Sequence, residues 1–183
     1  MSAIIDEIFD LFARYGAGRY GEDLSLEQHM LQSAAMAEAM AAPRKLVAAA
    51  LLHDVGHFLH TGGEASAYGA RDFKHETLGA VWLSRGFGDE VTAPIALHVQ
   101  AKRYLCAVEP GYLERLSIAS RHSLGLQGGV MTPADAAAFA AAPDCAAAVL
   151  LRRCDDRGKD AGLPARTVEG YRGLLTDCLR RPA

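Results

Sequence analysis

A histidine and an aspartate stand side by side at the end of an apolar run, and this pair constrains the fold more than any other feature. Residues 47–52 are six apolar residues in a row, and they lead directly into His53 and Asp54. Burying an imidazole and a carboxylate costs free energy unless both groups find strong partners. The chain must therefore fold so that a strong partner, most simply a metal ion, meets this pair inside the core.

The other histidines supply further candidates for the same site. On a helix, neighbouring residues differ in direction by about 100°, so His53 and Asp54 need not serve one ion alike. A carboxylate has two oxygens and can bridge two ions. His29 lies on the preceding helix, and a tight turn at residues 41–43 would bring it beside His53. The seven histidines are His29, His53, His57, His60, His75, His98 and His122.

A mixture of imidazole and carboxylate ligands indicates the class of ion. His75 and His98 are predicted on two further helices, and Asp155 comes late in the chain. Hard and borderline ions with open coordination positions prefer this mixture. The cysteines, at positions 106, 145, 154 and 178, form no C-x-x-C pair, so a structural zinc site or a redox motif is not indicated. The alternative for each histidine alone is an ordinary core or surface role.

Hydrophobic periodicity predicts helices throughout the chain. Apolar residues recur at helical spacing from Ile4, which predicts a first helix to about Arg14. Ser25 and Gln28 form a capping-box pattern at the start of a second helix that runs to about Met40. The remaining helices are predicted from residue 43 to about 53–56, near 75–85 and 89–103, from Thr132, and near 144–158 and 167–181, with loops at 16–23 and 58–73.

These elements predict an all-α fold in a single domain that covers residues 1–183. No stretch alternates cleanly between apolar and polar residues as a strand would. The length of 183 residues fits one domain. Residues 16–21 match G-x-G-x-x-G by letter, but the dinucleotide fingerprint needs a strand before it. A flexible loop, which could act as a lid over a site, is the better interpretation.

The charge balance limits the partners. The formal net charge is −3, from 19 basic and 22 acidic side chains. A surface without basic excess argues against nucleic acid as the main partner, yet it permits a small anionic substrate held by local cations. The N-terminus has no basic start and no long apolar run, so we predict neither a signal peptide nor a membrane span and expect a cytoplasmic protein.

Lys102 is the candidate for such a local cation. It follows His98 by four residues and therefore shares its helix face. Phosphate or phosphonate would be the natural guest of an ammonium group beside a metal ligand. The alternative is a solvated helix cation, which is the usual fate of a lysine. His57 follows His53 by the same spacing and could donate a proton near the site, while Lys159 could orient Asp155 or form a surface ion pair.

Together these residues resemble a known family. The order His29, His53-Asp54, Asp155 resembles the H…HD…D pattern of the HD-domain superfamily. Several segments more specifically resemble the phosphonate-degrading HD-domain oxygenases (PhnZ-like proteins), which are related to myo-inositol oxygenase. These segments are Tyr20-Gly21-Glu22, Leu26-Glu27-Gln28-His29, residues 51–57, residues 98–106 and residues 120–133.

The resemblance implies an HD-domain helical bundle with a central dinuclear metal site. It implies a mixed-valence Fe(II)/Fe(III) pair that uses O2 as co-substrate. One iron would take His29, His53 and Asp155, the other would take His75 and His98, and Asp54 would bridge them. Asp156 stands beside Asp155, so the choice between these two aspartates stays open.

The resemblance also implies how a substrate is held. It assigns substrate contacts to Gln28, His57, Lys102 and Ser120. It assigns Tyr20 and Glu22 to a lid. The catalytic residues that the resemblance implies are His57, Lys102, Tyr20 and Glu22. The implied reaction cleaves the C–P bond of a small organophosphonate. The substrate would be a 1-hydroxy-2-aminoethylphosphonate or its trimethylammonio analogue, giving phosphate and glycine or glycine betaine.

The sequence does not choose between these two substrates. A quaternary ammonium would favour aromatic faces and carboxylates, and Tyr20, Glu22, Tyr68 and Tyr104 are candidates. The main alternative is a metal-dependent HD phosphohydrolase, in which the same six ligands activate a water against a nucleotide or phosphate ester. A second alternative is a non-catalytic metal-bound scaffold or signalling domain, against which the intact ligand set and Lys102 argue. The oligomeric state is not readable.

Overall fold

A computed structural model describes residues 3–18, 24–61, 72–160 and 166–180, and these residues contain helices but no strand. This confirms the predicted all-α fold class. The α-helices are α1 Ala3–Tyr15, α2 Leu26–Ala39, α3 Arg44–Leu52, α4 Val55–Thr61, α5 His75–Leu83, α6 Asp89–Val108, α7 Tyr112–Arg115, α8 Ile118–Leu126, α9 Pro133–Ala140, α10 Cys145–Arg157 and α11 Arg172–Asp177, and a 3-10 helix spans Val168–Tyr171.

Local hydrogen bonds explain where two of the helices begin. The backbone N–H of Gln28 donates to Ser25 Oγ at 3.2 Å, and Gln28 Oε1 accepts from the N–H of Ser25 at 2.9 Å. This reciprocal pair is the predicted capping box of α2. Thr132 caps α9 in a related way, because its Oγ1 accepts from the N–H of Asp135 at 3.2 Å. Both caps satisfy N–H groups that a helix start leaves without partners.

The core is built around α3 and the long helix α6. Every residue of α3 from Leu46 to Leu52 is buried. Helix α6 packs against α3, α5 and α10, and α2 packs against α3 and α10. The apolar run that precedes the His-Asp pair is therefore the centre of the bundle, and it delivers His53 and Asp54 to the middle of the molecule.

The structure corrects several predicted boundaries. The third helix ends at Leu52, and a separate helix, α4, begins at Val55 and continues to Thr61, where a loop was predicted from residue 58. Val55 and Phe58 are buried in the core, which explains why this segment is helical. Helix α8 was not predicted, and its start is capped by Ser117, whose Oγ accepts from the N–H of Ser120. Helix α6 also extends five residues beyond its predicted end near residue 103, to Val108.

A close approach of backbones joins α4 to α5. A Cβ added at Gly56 would lie only 2.0 Å from the carbonyl oxygen of His75. No side chain fits at that distance, so glycine is required for α5 to start where it does. Gly56 therefore sets the position of His75, the first residue of α5, relative to Asp54.

In the described part of the chain, no single helix is long and apolar enough to cross a membrane. The bent pair formed by α9 and α10 passes the same test of length and composition when the two helices are taken together.

Replacing Gly56 by alanine tests the contact between α4 and α5. We expect Gly56→Ala to destabilise the fold by about 3 kcal/mol, because the new methyl group forces two backbones apart. The free energy of unfolding from urea denaturation measures the loss. The matched control is Gly173→Ala in α11, where a Cβ meets nothing within 4 Å. This control should be neutral or slightly stabilising, and equal stabilities of the two variants would contradict the argument.

Candidate metal centre

Six buried side chains from four helices and the link between α3 and α4 converge at the centre of the bundle. They are His29, His53, Asp54, His75, His98 and Asp155, and none of them is more than 8% exposed. The donor atoms separate into two groups, and within each group they lie no more than 4.8 Å apart. His29, His53 and Asp155 make the first group, and Asp54, His75 and His98 make the second. All six predicted ligands are therefore brought together.

The ring nitrogens of the histidines face each other in pairs. Nε2 of His29 lies 3.1 Å from Nε2 of His53, and Nε2 of His75 lies 3.2 Å from Nε2 of His98. In the first group, Asp155 Oδ1 is 3.4 Å from His29 Nε2. Such separations bring the nitrogens close enough to share one ion in each group.

The outer ring nitrogens determine which tautomer is present. Nδ1 of His29 lies 2.8 Å from the carbonyl oxygen of Gly158, and Nδ1 of His53 lies 2.8 Å from that of Ala50. A carbonyl can only accept, so each Nδ1 carries the proton and each Nε2 presents a lone pair. Two lone pairs 3.1 Å apart cannot hydrogen-bond to each other. A cation between them removes this conflict, and backbone carbonyls commonly orient metal-binding histidines in this way.

The two oxygens of Asp54 point to different groups. Oδ2 lies 3.4 Å from Nε2 of His53, in the first group, while Oδ1 lies 3.3 Å from Nε2 of His75, in the second. Burial alone would raise the pKa of Asp54, but the field of His53 and the neighbouring imidazoles holds that pKa well below its usual range. The carboxylate is therefore ionised and placed to bridge two ions.

Two carboxylate oxygens lack the donors that a buried oxygen normally has. Asp54 Oδ2 and Asp155 Oδ1 are fully buried, and neither accepts a hydrogen bond within the described ranges, although the Lys159 ammonium lies 3.5 Å from Asp155 Oδ1. A buried acceptor left without a partner costs roughly 1–3 kcal/mol, and more if it is charged. Both oxygens face the first imidazole pair. A cation at that place would satisfy them both, so the site fits a metal.

The structure distinguishes the two neighbouring aspartates. Asp155 Oδ1 faces His29, and its Oδ2 accepts from Arg152 Nη1 at 2.5 Å. The carboxylate of Asp156 instead accepts from Arg152 and from the hydroxyl of Tyr112. Asp155 is thus the aspartate that faces the imidazoles, and the charges of Arg152 and Lys159 offset its burial and keep its pKa well below its usual range.

A cavity opens beside the second group. Asp54, His75 and His98 line it, whereas His29 and His53 are not among its described lining residues. The other lining residues are His57, Asp72, Phe73, Val99, Lys102, Ala119, Ser120, Ser123, Leu126, Gln127, Arg152, Asp155 and Lys159. A molecule that enters the cavity would therefore meet the second group directly.

Three cations line this cavity. Lys102 is only 3% exposed, and its Nζ donates to Ser123 Oγ at 2.8 Å and to Gln127 Oε1 at 2.5 Å. Its burial and the nearby charge of Arg152 lower the pKa of Lys102 to about 7. Ser120 Oγ accepts from Lys159 Nζ at 2.9 Å. These groups make one part of the cavity suited to an anion.

The remaining predicted residues have different outcomes. His57 lines the cavity and stacks on His75, with ring centroids 4.2 Å apart, and its burial and the adjacent His75 lower its pKa to about 3. Gln28 Oε1 serves the cap of α2, and Gln28 is not among the described lining residues. Its substrate contact stays a prediction. Tyr20, Glu22 and Tyr68 lie outside the described residues, and Tyr104 packs against Phe139 instead.

Among the charged and aromatic lining residues, sequence analysis missed three. Arg152 is buried and precedes Asp155 by three positions on α10, so a shared helix face was the signal that could have found it. Asp72 and Phe73 reach the cavity from the segment before α5. No pattern in the sequence marks these two, because their place depends on how α5 packs.

Comparisons with known proteins place the chain in context. Residues 26–156 match the HD domain family. The chain is 43% identical, over 176 residues, to hydroxymethylphosphonate dioxygenase of Gimesia maris, covering 96% of this chain and 88% of the relative. It is 41% identical, over 161 residues, to the glycine-betaine-forming 1-hydroxy-2-(trimethylamino)ethyl phosphonate dioxygenase of Leisingera caerulea, covering 87% and 82%. It is 30% identical to uncharacterized protein L432 of Acanthamoeba polyphaga mimivirus, over 178 residues, 96% and 81%.

Removing the shared carboxylate tests the two-ion arrangement. We expect Asp54→Ala to bind neither ion, because both groups lose the carboxylate whose two oxygens they share. Metal per chain, measured by mass spectrometry after loading with ferrous iron, checks this, with circular dichroism to confirm the fold. Asp156→Asn is the control and should keep both ions, since its carboxylate faces Arg152 and Tyr112. An Asp54→Ala protein that retains two ions would contradict the bridge.

Proposed function

The chain belongs to the HD-domain family and, within it, to the phosphonate dioxygenases, and from this membership we propose that it uses O2 to cleave the carbon–phosphorus bond of a 1-hydroxyphosphonate. The membership confirms the resemblance seen in the sequence. One observation of the site carries the proposal: two ligand groups share Asp54 beside a cavity lined by buried cations. The products would be phosphate and a carboxylic acid.

The proposed cofactor is a mixed-valence Fe(II)/Fe(III) pair. One iron would be held by His29, His53 and Asp155, and the other by His75 and His98, with Asp54 shared. Two observations support this assignment. The Nε2 atoms of the histidines face each other in two pairs, and one buried oxygen of each aspartate accepts no hydrogen bond within the described ranges. When bound, the iron pair would supply the activation of O2 and the oxidation at C1 that opens the C–P bond.

The protein's own role is to bind and orient the phosphonate. The ammonium group of Lys102 and the hydroxyl of Ser120 lie in the same cavity as the second ligand group. Lys102 is the cation best placed to meet an anion, because the Arg152 guanidinium already binds Asp155 and Asp156. A phosphonate held there would present its C1 hydroxyl to the second metal position. His57, stacked on His75, would line the same region with a neutral ring that offers one N–H to the substrate.

The group on C1 distinguishes the substrates of the two named relatives. One name specifies hydroxymethylphosphonate, and the other specifies a 2-(trimethylamino)ethyl compound. Asp72 is the lining carboxylate that lies outside the proposed ligand set, and Phe73 adds an aromatic ring next to it. A carboxylate and an aromatic face favour an ammonium group. We therefore propose a 1-hydroxy-2-(amino or trimethylammonio)ethylphosphonate, giving glycine or glycine betaine.

Dependence on oxygen is the decisive test of this function. We expect the iron-loaded protein to release phosphate from racemic 1-hydroxy-2-aminoethylphosphonate or its trimethylammonio analogue in air, and to release none under strict anaerobiosis. The better of the two compounds would identify the substrate, and hydroxymethylphosphonate serves as the comparison. Equal release without O2 would contradict an oxygenase. No release from either compound in air, together with hydrolysis of phosphate esters in the presence of manganese, would instead support a metal-dependent phosphohydrolase.

The proposed contact between Lys102 and the phosphonate, here called the Lys102 clamp, gives a second prediction. Lys102→Gln should raise KM for the phosphonate by roughly 10–100-fold, because a hydrogen bond to a charged group contributes about 1.5–3 kcal/mol. The value of kcat should change far less. Steady-state kinetics in air separate the two constants. Lys45→Gln, at an exposed surface lysine paired with Glu90, is the control, and an unchanged KM in Lys102→Gln would exclude the clamp.

A further inference from the structure

We propose that Glu76 is a positioning residue that holds His75 through its outer ring nitrogen and so sets the affinity and the redox preference of the second metal position. The inference rests on the proposed function, since it needs an ion at each ligand group. It concerns a residue that the ligand set does not include. Its basis is the burial of Glu76, its distance from His75 and the contrast with the other histidines.

Glu76 is a buried acid with an unused oxygen. The residue is only 8% exposed, and no hydrogen-bond donor in the described part of the chain reaches its Oε2. That oxygen lies 3.5 Å from Nδ1 of His75. Asp72 also has a carboxylate oxygen within 4.8 Å of both residues, but it is partly exposed and its Oδ1 accepts from the N–H of Lys74. Glu76 is therefore the buried carboxylate that faces the Nδ1 side of His75.

The other three histidines are held by a weaker kind of acceptor. Nδ1 of His29, His53 and His98 each lies 2.8 Å from a backbone carbonyl oxygen. A carbonyl is neutral, whereas a carboxylate carries a full charge. A histidine whose outer N–H faces a carboxylate is a more basic metal ligand. His75 is thus the histidine of the four with a buried carboxylate beside its Nδ1.

The distribution of charge explains why the second position needs this acid. The first group contains Asp155 as well as a share of Asp54, while the second has only the share of Asp54 and the imidazoles of His75 and His98. An ion of higher charge at the second position would lack a carboxylate of its own. Glu76 supplies one through the ring of His75 without occupying a coordination position. The cavity-facing positions then stay available to the substrate.

A purely local role for Glu76 must be separated from this one. Glu76 is the second residue of α5, and an acid in the first turn of a helix is favourable by itself. Glu90 is the second residue of α6, so it has the same helical position, but it is exposed and pairs with Lys45. Glu90→Gln is therefore a matched control that removes an acid from the same helical position, together with its exposed ion pair to Lys45.

The test measures metal binding and potential rather than turnover. Apo-protein is titrated anaerobically with ferrous iron by calorimetry, and the potential of the iron pair is then determined by redox titration monitored by electron paramagnetic resonance. We expect Glu76→Gln to bind the second ion about 10–100-fold more weakly and the first ion normally. Its potential should shift to more positive values, and Glu76→Asp should restore part of both. Glu90→Gln should match the wild type.

Several outcomes would overturn the inference. It is wrong if Glu76→Gln binds both ions with wild-type affinity and potential, or if Glu90→Gln shows the same loss. It is also wrong if both ions weaken equally together with a loss of helical signal, since that marks a structural role. Failure of the proposed function looks different: wild-type protein would bind two ions yet release no phosphate in air, and the binding comparison would still stand.

Discussion

The carboxylate of Asp54 is the constraint on which the rest of the centre depends, because it faces two imidazole pairs at once. Around it, lone pairs and buried oxygens meet without the donors that would satisfy them. Only positive charge between these groups makes such a core favourable. Metal binding and folding are therefore coupled, since ions that occupy the folded centre have no preformed site in the unfolded chain and stabilise the native state.

The backbone around the His-Asp pair is shaped by this requirement. Helix α3 ends at Leu52, and α4 starts only at Val55, so His53 and Asp54 occupy a break between two helices. In an unbroken helix, two adjacent side chains would diverge by about 100°. Here His53 lies against His29, while Asp54 reaches both groups. Gly56, two residues after Asp54, allows the backbone of His75 to approach closely. One short segment therefore positions three of the candidate ligands.

The sequence alone predicted the elements that local rules govern. The apolar run, the capping box at Ser25 and the helical fold are such elements, and the family resemblance named six candidate ligand residues that converge. What it missed depends on tertiary packing. Arg152, Asp72 and Glu76 acquire their roles only when α5 and α10 pack at the centre, and no pattern in the chain encodes that contact. At Gln28 the local rule holds instead: its side chain completes the cap of α2, while the substrate contact that the resemblance implies stays a prediction.

The two ligand groups divide the work by their access to the cavity. His29 and His53 are not among its described lining residues, whereas Asp155 lines it while its carboxylate binds Arg152. The second group lines the cavity, and in the proposed assignment it offers fewer protein ligands, which would leave room for substrate oxygens. A metal position kept open for substrate receives less negative charge from the protein. A carboxylate that faces the outer ring nitrogen of a histidine ligand therefore has its largest effect on metal affinity and potential at that position. The location of Glu76 behind His75, rather than behind His29, follows from that asymmetry.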